Sequence, residues 1–122
     1  EIMFYKLGFQ IENIGNAIEK YFKLIITINF IDYTFKYNAL NDSKPNHFIK
    51  SDGNRAISFS NASPIFPGEI MTIGNIDFGL PSKKKTEILR NGKFSLELIY
   101  TNGIDKLEID INEIVNKTTH NN

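Results

Sequence analysis

The chain has 122 residues, in which 14 lysine and arginine residues balance 14 aspartate and glutamate residues. This length favours one soluble domain with a single core, and the zero net charge gives no whole-molecule field that would attract nucleic acid or an anionic membrane. Cysteine is absent, which excludes disulfides, thiol catalysis and thiolate metal sites.

The first third of the chain predicts two strands joined by a turn. Residues 7–11 alternate apolar and polar side chains, which indicates a half-buried strand. Residues 13–16, Asn-Ile-Gly-Asn, favour a turn. Residues 22–30 carry apolar side chains at every even position and predict a central strand. Lys23 and Asn29 interrupt this segment, which falls short of the roughly 18 apolar residues of a membrane helix, so we expect no membrane span.

The middle of the chain predicts an aromatic strand followed by a long loop. Tyr33, Phe35 and Tyr37 alternate with polar residues, a pattern typical of a strand. Core packing is the favoured role of these rings, and stacking on bases or sugars is the alternative. Residues 41–54 contain three successive turn signals and predict a long polar loop.

The second half predicts further strands separated by turns. Ile57 and Phe59 indicate a short strand, and Pro67-Gly68 favours a tight turn. Residues 70–80 predict the next strand, followed by the three lysines of residues 83–85 as an exposed connection or sheet edge.

The clearest element is a hairpin near the end of the chain. Residues 94–100 and 107–111 alternate cleanly, and Asn102-Gly103 between them favours a type I′ turn. One helical turn is expected from Glu113. Residues 116–122 are predicted to be a polar, frayed tail.

About seven strands with this turn spacing predict an all-β fold of the immunoglobulin or fibronectin type, a sandwich of antiparallel strands. A small closed β-barrel is the alternative. Residues 1–115 are expected to form this single domain. The chain begins at Glu1 and enters a strand pattern directly, which predicts that it was cut from a longer protein.

Two short motifs carry a resemblance to a known family. Residues 9–17, Phe-Gln-Ile-Glu-Asn-Ile-Gly-Asn-Ala, and the later Pro67-Gly68-Glu69 resemble the corner and turn of bacterial Ig-like sandwich domains of the cell-adhesion-related type. The resemblance implies an accessory module attached to an enzyme, a surface protein or another multidomain protein. It implies no catalytic residues.

Residue types that support catalysis are sparse. His47 and His120 lack partners at metal-ligand spacing, which argues against a zinc site. Asp105, Glu108 and Asp110 lie on the last hairpin, where solvated charges of an amphipathic strand are favoured over a glycosidase carboxylate pair.

Loop oxygens offer a weak calcium signal. Residues 51–54, Ser-Asp-Gly-Asn, could supply ligands but lack the spacing of an EF-hand loop, so Asx-type turns are favoured. No nucleophile elbow, phosphate-binding loop or dinucleotide motif is present in the sequence. We therefore expect no enzymatic activity and no cofactor.

Two sets of residues are candidate contact surfaces. The apolar loop residues, which would mark a partner surface if exposed, are Phe48, Ile49, Ile65 and Phe66. The basic residues, which form either an anion-binding patch or a solvated edge, are Lys83, Lys84, Lys85, Arg90 and Lys93.

The sequence thus predicts a non-catalytic interaction or structural accessory module of a larger bacterial protein. Its expected partner is a protein or a neighbouring domain of the same chain, bound through loops or sheet edges. Nothing in the sequence indicates specific nucleic-acid binding. The alternatives are a small β-barrel that senses a nucleotide or lipid and a carbohydrate-binding module.

Overall fold

Period-two alternation of apolar residues produces strands over most of the chain. The computed structural model describes residues 2–30, 35–81 and 85–120. Within them the strands are β1 (Ile2–Glu12), β2 (Phe22–Ile28), β3 (Phe35–Ala39), β4 (Lys44–Ile49), β5 (Arg55–Ser60), β6 (Ile70–Pro81), β7 (Lys93–Tyr100) and β8 (Gly103–Asp110). The helices are α1 (Lys85–Asn91) and α2 (Ile111–His120).

The described strands form two antiparallel sheets. One has three strands in the order β1-β6-β3, and the other has five in the order β4-β5-β2-β7-β8. Both sheets are open, so the prediction of an all-β, antiparallel fold is confirmed and the alternative of a closed barrel is wrong. The arrangement is compatible with a sandwich.

The central strand of the larger sheet is the one predicted from residues 22–30. Leu24 lies opposite Phe59 of β5 and Leu98 of β7, so the even positions of β2 share one face with apolar residues of both neighbours. Leu24, Ile26 and Phe59 are buried. Alternation in the sequence therefore places one side of this sheet in the core.

The two sheets share one hydrophobic core. The rings of Phe78 in β6 and Phe94 in β7 lie 5.2 Å apart, which joins one sheet to the other. Gly74 of β6 sits so close to the larger sheet that a Cβ there would lie 2.6 Å from Phe59 Cε1. Buried residues of α1 and α2, including Ile88 and Ile114, belong to the same cluster.

Three predicted boundaries are wrong. The polar loop expected over residues 41–54 contains β4, an edge strand whose exposed positions tolerate polar residues and Pro45. Lys85 begins α1 and so is not part of an irregular connection or edge, whereas Lys83 and Lys84 lie outside the described residues. Helix α2 continues to His120 and occupies most of the expected polar tail.

Two predicted turns form, one of them with a different backbone. Pro67-Gly68 makes a tight turn in which Gly68 has a φ of 82° and the Glu69 N–H donates to the Phe66 carbonyl at 3.0 Å. The β7–β8 hairpin also forms, with Tyr100 opposite Gly103. Neither Asn102 nor Gly103 has a positive φ, so the type I′ prediction is wrong.

The helices offer no membrane-spanning segment. Neither α1 nor α2, the helices within the described residues, combines the length and apolar character needed to cross a bilayer. Helix α1 has 7 residues and α2 has 10, against the roughly 20 that a span requires.

Candidate functional site

Two edge strands, β1 and β8, leave a groove open to solvent on one side of the molecule. It consists of two adjoining cavities that share Ile11, Glu12, Leu98 and Asp105. The larger has a volume of about 320 Å³. We call this feature the β1–β8 groove, and the side chains used in the argument below are Ile11, Glu12, Glu19, Leu96, Leu98, Tyr100, Asp105 and Leu107.

The groove exposes apolar side chains on the face of β8 that the alternation of apolar and polar residues predicts to be buried in the core. Leu107 pairs with Leu96 and points to the same side of the sheet. Leu96 is buried, whereas Leu107 is 60% exposed, because the smaller sheet stops at β1 and does not reach over β8. Helix α2 contacts both edge strands and so covers part of this side. The remaining opening is the groove.

The hairpin end of the groove is held by hydrogen bonds to carboxylates. Tyr100 Oη donates to Asp105 Oδ1 at 3.1 Å. The Thr101 N–H and hydroxyl both donate to Glu19 Oε1, at 2.6 and 2.8 Å. The hydrogen bond to Asp105 and its negative charge raise the pKa of Tyr100 above its ordinary value of 10.0. These contacts fix the phenol as a neutral donor and leave one oxygen of each carboxylate for other partners.

The groove is acidic as well as apolar. Glu12, Glu19 and Asp105 line it, and among the described residues none of them forms an ion pair with a basic side chain. Lys106 touches the second cavity but lies on the opposite face of β8 from Asp105. No group of three or more histidine or acidic side chains in the described part of the chain could hold a metal ion. Glu12, Glu19 and Asp105 thus give the lining of the groove three carboxylates.

The β1–β2 corner, one of the two resemblance motifs, forms a rim of the groove and contacts the other motif. Asn13 Nδ2 donates to the carbonyls of Ala17 and Ile65, each at 2.9 Å. The Gly68 N–H donates to the Asn13 carbonyl at 2.8 Å, which joins the corner to the Pro-Gly turn. Ile14 projects from this rim and is 88% exposed.

The structure separates the residues predicted as an apolar partner surface. Ile65 is buried, 1% exposed, and lines the groove wall. Phe48 is half-buried in β4. Ile49 and Phe66 are exposed but lie at opposite ends of the larger sheet, since Ile49 pairs with Arg55 at the start of β5 and Phe66 follows the end of β5. These four residues do not form one surface.

The predicted basic patch is only partly visible. Lys83 and Lys84 lie outside the described residues, and of Lys85 only its place at the start of α1 is described. Arg90 is exposed on α1. Lys93 begins β7 and pairs with Glu108 at 3.6 Å. Both described side chains lie at the end of β7 away from the groove.

The predicted aromatic strand closes the opposite side of the molecule. Tyr33 lies outside the described residues. Phe35 and Tyr37 of β3 each lie with ring centroids 6.1 Å from His47 of β4, and we call these three rings the aromatic seam. The Arg55 guanidinium lies 4.8 Å from the centre of the Phe35 ring. The rings thus pack mainly on one another across the two sheets.

Sequence reasoning did not identify the groove, although it identified the strands that line it. The alternation that predicts core residues also includes Leu98, Tyr100 and Leu107. It predicts which face of the strand they lie on, but it does not show whether another element covers that face. The informative signal was Asp105 at a core-facing position, where a carboxylate argues for solvent. Beside Glu108 and Asp110 it is not distinguished in the sequence from the solvated charges of the hairpin.

No protein-family model matches the chain. The comparisons with curated proteins and with solved structures likewise give no match. The resemblance to Ig-like accessory domains therefore stays a prediction, and function has to be inferred from the chemistry of the groove.

Proposed function

We propose that the chain is a non-catalytic interaction module that binds a protein segment in the β1–β8 groove. The observation that supports this most directly is the exposure of Leu107 on the core-facing side of an edge strand. An apolar side chain in that position gains stabilisation when another chain covers it. Leu98 and Ile11 extend the same apolar lining.

The polar groups of the groove suit recognition. Tyr100 and Thr101 already hold Asp105 and Glu19 in place through hydrogen bonds. Fixed polar groups beside an apolar floor are the usual composition of a binding site, since they orient a ligand that burial holds. The groove supplies both on a hairpin whose strands are part of the larger sheet.

A carbohydrate-binding role has less support. Sugar rings stack on flat, exposed aromatic faces, as bases do on single-strand-binding sheets. Tyr37 is instead inclined by 41° to His47, and Phe35 is half-buried with Arg55 over its ring. These contacts favour a structural role for the aromatic seam and leave the groove as the better candidate.

The wider biological role rests on the resemblance in sequence. The Asn13 corner and the Pro67-Gly68-Glu69 turn support an accessory module of a larger bacterial protein, with an immunoglobulin-like fold. In that setting the groove would bind a protein or a neighbouring domain of the same chain. Contact between the two motifs makes this corner a rigid rim for such a partner.

The proposal is tested by selecting peptides from a random library displayed on phage. Peptides retained by the wild-type protein are passed over Leu107→Asp, which places a charge on the groove side of β8. Ile49→Asp is the matched control, because Ile49 is 60% exposed, like Leu107, but lies on β4 at the other edge of the same sheet. We expect peptides that bind the wild type and Ile49→Asp but not Leu107→Asp. Equal binding to both variants, or no enrichment, would overturn the proposal.

A further inference from the structure

We infer that the groove takes an extended segment that adds to the free edge of β8 and carries a lysine or arginine two positions from an apolar residue. The inference rests on the proposed function and specifies the chemistry of the partner. Three features of the molecule support it: an unpaired sheet edge, an apolar floor and an excess of carboxylates.

The first feature is the edge. Strand β8 is the last of its sheet, and within the described residues only β7 pairs with it. Tyr100 faces Gly103 across the two-residue turn, which makes them a hydrogen-bonded pair, and such pairs alternate along an antiparallel ladder. The backbone N–H and C=O groups of Ile104, Lys106 and Glu108 therefore point away from β7. They are free to bond a ninth strand.

The second feature is the apolar floor of the groove, where an acidic and an apolar side chain of β8 lie two residues apart. Asp105 and Leu107 are two residues apart and share the groove face. A strand added beside β8 would place every second side chain next to this face, at the same spacing. The side chain beside Asp105 is best basic, and the next one on that face, beside Leu107, is best apolar. This sets the expected spacing of a basic and an apolar residue two positions apart, with the basic residue first in a strand parallel to β8 and the apolar residue first in an antiparallel one.

The third feature is the unbalanced charge. Glu12 and Glu19 line the groove together with Asp105, and among the described residues no lysine or arginine forms an ion pair with any of the three. A basic side chain there would meet carboxylates held next to an apolar floor, where screening by water is weaker than on an open surface. A second copy of this chain fits less well, because its β8 would bring Asp105, Glu108 and Asp110 against one lysine.

The inference is tested with the peptides selected as described above. The strongest binder is synthesised with a fluorescent label, together with a version in which its basic residues become glutamine. Both are titrated by fluorescence anisotropy against the wild type, Glu12→Gln/Asp105→Asn and Glu87→Gln. Glu87 is an exposed carboxylate in the first turn of α1, near the other end of β7, and controls for general charge.

We expect binders that carry a basic and an apolar residue two positions apart, in either order. Their affinity should fall about tenfold in Glu12→Gln/Asp105→Asn and stay unchanged in Glu87→Gln, and the difference should shrink in about 0.5 M salt. Binding should also protect the amides of Ile104, Lys106 and Glu108 from hydrogen exchange.

The contrary results separate the two proposals. Groove-dependent peptides that are neutral or acidic, or that bind the double variant as well as the wild type, would overturn this inference and leave the proposed function intact. Basic peptides that leave those three amides unprotected would overturn the strand-addition step. Absence of any peptide sensitive to Leu107→Asp would overturn both proposals.

Discussion

The two sheets leave two open sides, one between β3 and β4 and one between β1 and β8, and these sides are covered to different extents. On one side the edge strands β3 and β4 meet through the aromatic seam, with three rings and the Arg55 guanidinium filling the space between them. On the other side the edge strands β1 and β8 are bridged in part by α2, and the rest is left as a groove with Leu107 exposed. The same architecture therefore carries one side bridged by packed rings and one side that holds an open groove.

The difference lies at the edges of the two sheets, where the proposed binding groove is also found. Both sides present inward-facing side chains at the margin of one core. Aromatic rings are large enough to reach across the gap between β3 and β4. Leu107 and Asp105 are too short to reach β1, and their surroundings stay open. The closer approach of β3 to β4, together with the size of their rings, thus separates a structural seam from a candidate site.

The largest expected effect comes from changing how closely the smaller sheet approaches the larger one. A Cβ at Gly74 would lie 2.8 Å from the Asn38 carbonyl oxygen of β3 and closer still to Phe59. We expect Gly74→Ala to lower the free energy of unfolding by about 1–3 kcal/mol, measured by urea denaturation. Gly8→Ala is the control, since a Cβ at Gly8 in the groove-side edge strand meets nothing within 4 Å. Equal losses in the two variants would show that the close approach of the sheets at Gly74 does not restrict the side chain there.

The next effect concerns the aromatic seam itself. Phe35→Ala removes a half-buried ring that packs on Tyr37 and His47 and lies beneath Arg55. We expect a loss of about 1–2 kcal/mol in the free energy of unfolding, because only part of the apolar area of the ring leaves a buried site. Thermal and urea denaturation check this value. An unchanged stability would show that the seam does not hold the two edges together.

A smaller effect is expected on the groove side. Leu107→Ser removes an apolar side chain that is mostly exposed, so the free energy of unfolding should change by no more than about 0.5 kcal/mol. Leu96→Ser, at the buried partner position across the ladder, should cost several times more. Urea denaturation of both variants measures the contrast. A large loss in Leu107→Ser would mean that Leu107 belongs to the core and is not available to a partner.

Alternation of apolar and polar residues predicts where the strands lie, but it does not predict which elements cover them in the fold. The central strand β2 and the β7–β8 hairpin follow from period two, because both bury one complete face. Strand β4 was missed because an edge strand with polar and proline residues has no buried face to reveal it. The groove was missed for a related reason: whether Leu107 is covered depends on where β1 ends the other sheet, and this is a property of the fold and not of local sequence.

The smallest effect is a dependence on pH at the hairpin end of the groove. The pKa of Tyr100 is raised in the folded protein by the hydrogen bond to Asp105 and by its charge. Because the pKa of Tyr100 is higher in the folded protein than in the unfolded chain, the hydrogen bond contributes its full stabilisation below about pH 10. This contribution is lost as the pH rises through the pKa of the folded protein. The stability advantage of the wild type over Tyr100→Phe should therefore shrink as the pH rises above about 10, whereas other titrating groups contribute equally to both proteins. Urea denaturation at each pH measures this difference. A constant difference would show that Asp105 does not hold the phenol, and the carboxylate would then have both oxygens available for the basic residue of a partner.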